Sequence, residues 1–456
     1  CPVCGGELGE VRAFNLLFAT YIGPYREENR AYLRPEAAQG MFVNFKRVYE
    51  IMRRRMPLGI AQIGRVARNE ISPRQGLIRL REFTIMEIEF FFDPKNPRAD
   101  ILYESCGRRR IRILRASDKE KGGEPIEVTP VEAYEEGIIV TPWLAYWMCV
   151  AQEFIEALGV PYSDTMFEEK APHELAHYSK QTFDQLVRTR RWGWIEVSGH
   201  AYRHDYDLRR HMEYSGRDLY ALRRLPQPKR VVRERVRVDK KRIVELFGRE
   251  ASKVFRAVAK LGEEELLNLL KSSGGDSVVI DGVRVPRSVF SIEKVEELID
   301  VEKFVPHVAE PSFGLERLLY ITLEHAYREE EGRVYLAFPP YIAPIQVAVF
   351  PLLSRSPLTD VARRIYRELS EEFDAVYDES GSIGRRYARV DEIGVPLAVT
   401  VDYQSLEDGT VTVRDRDSRR QVRVPIARLR EVVRRVVYGG EGLLELGFPE
   451  VGQRSS

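Results

Sequence analysis

The sequence predicts two regions of mixed α and β structure, with an insertion late in the first and an independent α/β domain as the second. Three observations lead there. From 32 to about 94, short apolar runs alternate with charged residues. Over 225–299 the chain turns to Val/Arg alternation, VVRERVRV. Beyond Phe338-Pro339-Pro340, strand-like and helix-like stretches follow one another in turn.

Within the first region, the run FTIMEIEFFF at 83–92 reads as a strand that carries Glu87 and Glu89 in an apolar setting. A helix is expected over 142–158, stopped by Gly159 and Pro161. In the insertion, VVRERVRV is followed by a helical EEELLNLLKSSGG and a hairpin VVIDGVRV. A strand then runs into a helix through Pro311-Ser312-Phe313-Gly314. In the second region, IAPIQVAVFPLL and VPLAVTVD read as strands, and LTDVARRIYRELSEEF and ARLREVVRRVVYG as amphipathic helices. GTVTVRD with RRQVRVPI reads as a hairpin.

The 456 residues are 44% hydrophobic and 31% charged, with a formal net charge of +1. A nucleic-acid partner must therefore be met by local basic patches and not by an overall field. No apolar run is long enough to cross a bilayer. Of the four cysteines, Cys1 and Cys4 form CPVCGG, half of a zinc-ribbon pattern, so a structural Zn2+ there needs a second pair of ligands beyond this sequence. Cys106 and Cys149 read as isolated, and so few cysteines fit a reducing compartment.

One stretch offers a distracting chemistry. APHELAH satisfies H-E-x-x-H, which on a helix sets two zinc-binding histidines one turn apart. No third ligand follows at metalloprotease spacing.

Three other segments belong together. Arg68-Asn69-Glu70 precedes a turn and then Arg79-Leu80-Arg81-Glu82-Phe83, a hairpin offering guanidinium groups to a polyphosphate and a ring to a purine. Glu310-Pro311-Ser312-Phe313-Gly314-Leu315-Glu316-Arg317 puts an acid at the end of a strand and an arginine in the next helix, and Arg34-Pro35-Glu36 opens RPEAAQG. Arg-x-Glu with REF, and then GLER, resemble motifs 2 and 3 of class II aminoacyl-tRNA synthetases. With GWIEVSG, HDYDLRRH, PHVAEPSFGLER and IGRRYARVDEIGVPLAVTVD, the chain resembles the archaeal and eukaryotic glycyl-tRNA synthetases from about Phe14 to Tyr438. The family's Glu-x-Ala-His-Tyr is matched by Glu174, Ala176, His177 and Tyr178, so HELAH is a coincidence. The N-terminal region with motif 1 has no counterpart here, and an opening Cys1 in place of Met leads us to expect that the sequence begins inside a longer protein.

The resemblance implies a fold, a reaction and a site. The fold is an α+β catalytic domain on an antiparallel sheet flanked by helices (1–224 and 301–338), interrupted by an inserted subdomain (225–300). A C-terminal α/β anticodon-binding domain with a mixed sheet (339–456) follows. The reaction is ATP-dependent ligation of glycine to tRNA(Gly). ATP is expected at Arg68, Asn69, Glu70, Arg79, Leu80, Phe83, Glu196, Val197 and Arg317, with Arg68 and Arg317 catalytic. Glycine is expected at Glu36, Glu87, Glu310, Pro311 and Ser312, and Mg2+ at Glu196. Arg385-Arg386-Tyr387 is expected to touch tRNA. A homodimer in the cytoplasm, with no membrane partner, completes the expectation. The alternative is a non-catalytic synthetase-like nucleic-acid-binding protein, such as a DNA polymerase accessory subunit. Retention of Arg68, Arg317 and the acids argues for the enzyme.

Overall fold

The computed structural model describes residues 5–7, 14–24, 29–73 and 75–452. Cys1 and Cys4, with the zinc site expected there, lie outside the described residues. The chain separates into two compact units, Cys1–Leu219 with Pro306–Ser456, and Tyr220–Val305.

The larger unit is built on eight strands: β1 Leu58–Ala67, β2 Glu82–Phe92, β3 Ile111–Leu114, β4 Ile126–Val128, β5 Thr165–Glu169, β6 Gln181–Thr189, β7 Gly193–His204 and β8 His307–Gly314. Their order is β1-β2-β8-β7-β6-β5-β3-β4. The pairs are antiparallel except for β3 beside β5. The first and last parts of the region thus meet in mid-sheet, where β8 slots between β2 and β7 and sets Ser312 opposite both Glu87 and Gly199.

Strand alternation decides what this sheet buries. Along β2, Ile85, Glu87, Glu89 and Phe91 share the more deeply buried face. Helix α1, Ala38–Ile51, covers that face with the stripe Ala38, Met41, Phe42, Phe45 and Tyr49. Phe91 meets Phe45 at 4.5 Å and Phe42 at 5.8 Å between ring centres. On the opposite face, Phe90 packs 4.3 Å from Trp143 of α3, Pro142–Ala157. Trp143 in turn donates its indole N–H to the Pro97 carbonyl at 2.7 Å. Helix α2, Asp100–Cys106, is joined to α3 by a Cys106–Cys149 disulfide, with Cα atoms 6.2 Å apart. These two cysteines are therefore not isolated; packing brings together residues 43 apart in sequence.

The C-terminal part of the same unit holds β9 Val347–Pro351, β10 Ala375–Tyr377, β11 Leu397–Val401, β12 Thr410–Asp415 and β13 Gln421–Pro425, in the order β10-β9-β11-β12-β13. The sheet is mixed: β9 is parallel to both neighbours, while β11, β12 and β13 are antiparallel. With α4 assigned to Tyr206–Ser215 and α5 to Leu315–Ala326, the helices here are α6 Leu358–Leu369, α7 Ile383–Glu392 and α8 Leu429–Val437. Helices α6 and α8 share a core on one face; α7 packs on the other through Val390.

The expected tRNA contact at Arg385-Arg386-Tyr387 changes with this packing. Arg386 is buried and donates to the carbonyls of Pro351 and Gly381, and Tyr387 bonds Thr400 Oγ1 at 2.6 Å against the Phe350 ring. Both hold α7 to the sheet; only Arg385 of the three is exposed.

The smaller unit pairs two long strands, Ala221–Val238 and Phe290–Phe304, and adds the hairpin Ser277–Ile280 with Val283–Pro286. Three short helices pack Ile243, Val254 and Leu266 into a small core of its own.

Removal of the Phe91 ring leaves a hole between α1 and the sheet that neither can close. Phe91→Ala is expected to cost about 3–5 kcal/mol, read as an earlier urea transition for the larger unit. An unchanged midpoint contradicts the packing described.

Candidate active site

The sheet face covered in part by α1 opens into a cavity of about 410 Å3. Its lining comes from the segment before α1, the β1–β2 hairpin, β2, the segment before β6, β6, β7, β8 and the first turn of α5. Twelve of the fourteen residues expected at a site line it: Glu36, Arg68, Glu70, Arg79, Leu80, Phe83, Glu87, Glu196, Val197, Glu310, Ser312 and Arg317. Asn69 does not, because its amide reaches the Asn15 carbonyl at 3.2 Å. Pro311 does not either, because alternation along β8 sends it to the face opposite Glu310 and Ser312.

The cavity has two ends of opposite character. At one end stand arginines. Arg68 Nε donates to the Pro35 carbonyl at 3.1 Å, with its guanidinium carbon 5.4 Å from the Phe83 ring centre. Arg79 pairs with Glu70 at 2.9 Å. Arg317, in the first turn of α5, donates to the Ile78 carbonyl at 2.9 Å and the Glu196 carbonyl at 2.7 Å. Its neighbour Glu316 accepts the Thr84 backbone N–H at 2.9 Å, fastening α5 to β2. Fixed guanidinium groups beside an aromatic ring suit an anionic polyphosphate carrying a flat base.

At the other end stand acids. Glu87, only 3% exposed, accepts the Ala37 N–H at 2.6 Å and the Ser312 hydroxyl at 3.2 Å. Burial, then the nearby Glu310 carboxylate, push it up to about 7. Glu310 is buried and accepts from Arg203 at 3.0 Å; burial raises its pKa and Arg203 opposes the rise. Beneath them Glu89 is fully buried, neither of its oxygens has a hydrogen-bond partner, and burial holds it well above the usual carboxylate range. Four carboxyl groups, those of Glu36, Glu89, Asp207 and Glu310, thus gather around one guanidinium, Arg203, and Glu87 stands beside Glu310 and Glu36. Such an excess of acid favours a cation.

Between the ends, the floor is bare. Gly199 lines the cavity opposite Ser312, and a Cβ there would meet only Asp184 Oδ1, at 3.9 Å. Asp184 and Lys170, which sequence reasoning missed, also line it and pair at 2.6 Å. Burial and the neighbouring Glu196 push Asp184 up to about 6. The Asp184 and Glu196 carboxyl groups, side by side near an arginine-lined end, are a donor set that fits a hard divalent cation. No cluster of three or more His, Cys, Asp or Glu able to hold a metal occurs among the described residues.

The HELAH stretch forms turns and no helix, so its histidines lack the one-turn geometry the zinc pattern needs. Glu174 accepts the Ala171 N–H at 2.9 Å, and His177 packs against Tyr178 and Tyr206.

Comparison with known proteins shows the family. Residues 20–326 match the tRNA synthetase class II core domain (G, H, P, S and T), and residues 346–436 match the anticodon binding domain. A glycine–tRNA ligase of Aeropyrum pernix is 54% identical over 453 residues, 98% of this chain and 77% of the relative. The chain belongs to the glycine–tRNA ligase family of class II tRNA synthetases. Family members named glycine–tRNA ligase in Pyrococcus abyssi, 44% identical over 96% of this chain and 77% of the relative, and in Methanocaldococcus jannaschii, 42% identical over 94% and 76%, agree.

The raised Glu87 has a thermodynamic consequence. Its folded pKa of about 7 lies above the unfolded value near 4.5. The folded state therefore holds more protons between these values, and stability falls as pH rises through that window. Glutamine can keep both partners, accepting from Ala37 and donating to Ser312, without the charge. Glu87→Gln should thus gain stability relative to the parent on going from pH 5 to pH 8. An unchanged difference between these pH values contradicts the assignment.

Proposed function

We propose that this chain activates glycine with ATP and transfers it to the 3′ end of tRNA(Gly). The observation that carries the reading is one cavity with fixed guanidinium groups at one end and excess buried carboxyl groups at the other. A zwitterion fits only one way round: its ammonium to Glu36, Glu87 and Glu310, its carboxylate toward the arginines.

In the activation step, a glycine carboxylate oxygen attacks the α-phosphorus of ATP, the bond to the β-phosphate bridging oxygen breaks, and pyrophosphate leaves. Charge develops on the α-phosphate oxygens, where Arg68 meets it; Arg317 meets the charge of the departing phosphates. Phe83 stacks on the adenine, Glu70 accepts from its amino group, and Leu80 and Val197 flank it. Arg79 steadies Glu70 through their ion pair. Glu196 and Asp184 would hold Mg2+, which shields phosphate charge when bound. Ser312 and the bare Gly199 floor leave room for a hydrogen at the α-carbon, while the Ser312 side chain occupies the place of a larger substituent.

The accompanying reading is of an enzyme that acts as a homodimer in the cytoplasm. No helix among the described residues is long and apolar enough to cross a membrane. The non-catalytic alternative gains nothing from the site, whose lining includes Arg68, Arg79 and Arg317.

Pyrophosphate exchange into ATP, measured with each of the twenty amino acids, tests the reading. Glycine alone should support fast exchange, and Arg68→Ala should lower it about a hundredfold, the scale of one lost preorganised donor. Exchange with another amino acid, or an unaffected Arg68→Ala variant, overturns it.

A further inference from the structure

Arg203 on β7 belongs to no segment that carried the family resemblance and does not line the cavity, yet it is 1% exposed and lies behind the acids. Its guanidinium makes a two-pronged pair with Asp207 of α4, at 2.9 and 3.0 Å. The remaining nitrogen donates to Glu310 at 3.0 Å and lies 3.7 Å from Glu36. Two rings close its faces, Tyr178 at 3.9 Å and Phe42 at 5.3 Å from their centres. A relay continues outward: Gln39 donates to both Glu36, at 2.8 Å, and Asp207, at 3.1 Å, and His211 bonds Gln39 at 2.8 Å.

We propose that Arg203 is a positioning residue for the amino-acid end of the site: it fixes the carboxylates of Glu310 and Glu36 as an aligned pair facing the cavity. The inference rests on the glycine reading above and deepens it. Desolvated carboxylates without a cation would take up protons and rotate apart. Arg203 is the cation that opposes this for Glu310. Glu87, Glu89, Asp207 and Tyr178 also face this centre, and none of them supplies positive charge. The fork geometry matters as well as the charge. Asp207 occupies two donors in one plane, so the direction of the third, toward Glu310, is set by α4.

The test uses exchange kinetics on Arg203→Met, Arg203→Lys and Asp207→Asn, with KM for glycine and for ATP measured over pH 6–9. Arg203→Met should raise the glycine KM about tenfold or more while the ATP KM stays within about twofold. Its glycine kcat/KM should also reach its plateau at higher pH than the parent's, because Glu310 has lost the charge that favours its ionised form. Arg203→Lys, which keeps charge but not the fork, should fall between parent and Arg203→Met in both readouts. If Arg203→Met fails to fold, the same direction of change in Arg203→Lys and Asp207→Asn supports the proposal. Equal changes in the two KM values, or a pH profile that does not move, overturn it and leave Arg203 a packing residue. A parent enzyme that exchanges with an amino acid other than glycine fails the functional reading instead, and is distinguished by that result.

Discussion

Carboxyl groups resist leaving water, and this molecule buries four of them, Glu87, Glu89, Asp207 and Glu310, on one side of a sheet. The rest of the larger unit can be understood as the arrangement that makes this tolerable. Antiparallel pairing places β8 between β2 and β7, so acids from two strands and Arg203 from the third converge. Helix α1 closes over the acids with aromatic side chains, and the backbone N–H of Ala37, just before its first turn, satisfies Glu87. Removing one partner of such a buried set leaves uncompensated charge, which costs far more than the intact set contributes. On the proposed reading, a bound ammonium group would complete an environment that is short of positive charge.

The same sheet register produces the other end of the cavity. Arg68 lies where β1 gives way to the hairpin, Phe83 at the start of β2, and Arg317 in the first turn of the helix that follows β8. Each arginine is held by a backbone carbonyl, those of Pro35, Ile78 or Glu196, and not by an acid alone. That arrangement leaves guanidinium charge available to a ligand while fixing its direction, the condition for preorganised stabilisation of a developing anion.

Much of this was legible in the sequence, for physical reasons that can be named. The strand over 83–92 and the helix over 142–158 were visible from period and stop signals, and the structure places them at Glu82–Phe92 and Pro142–Ala157. The independent C-terminal α/β domain followed from alternating strand and helix signals, while its mixed sheet was what the family resemblance implied. Glu89 was legible only as an acid on an apolar strand and Asp207 only as part of HDYDLRRH, and Arg203 and Asp184 carried no signal, because their meaning depends on which strands become neighbours. A one-residue change of register would turn Glu89, Arg203 and Asp184 to the other face. Arg386 and Tyr387 misled for the converse reason. Charge and an aromatic ring look like a nucleic-acid contact until packing of α7 shows them satisfied by carbonyls and a threonine. The Cys106–Cys149 pairing needed the α2–α3 packing, which spacing alone could not supply.

The central claim is that the acid-lined end holds an ammonium group. Calorimetric titration at pH 7, in two buffers of different ionisation enthalpy, tests it with a non-hydrolysable glycyl-adenylate analogue and its counterpart bearing hydroxyl in place of amine. With Glu87 pushed up to about 7, it is half protonated in the free protein. The amine ligand should therefore bind more tightly and release up to about half a proton, whereas the hydroxyl ligand should release none. Equal affinity for the two ligands, with no proton released by either, would contradict the account.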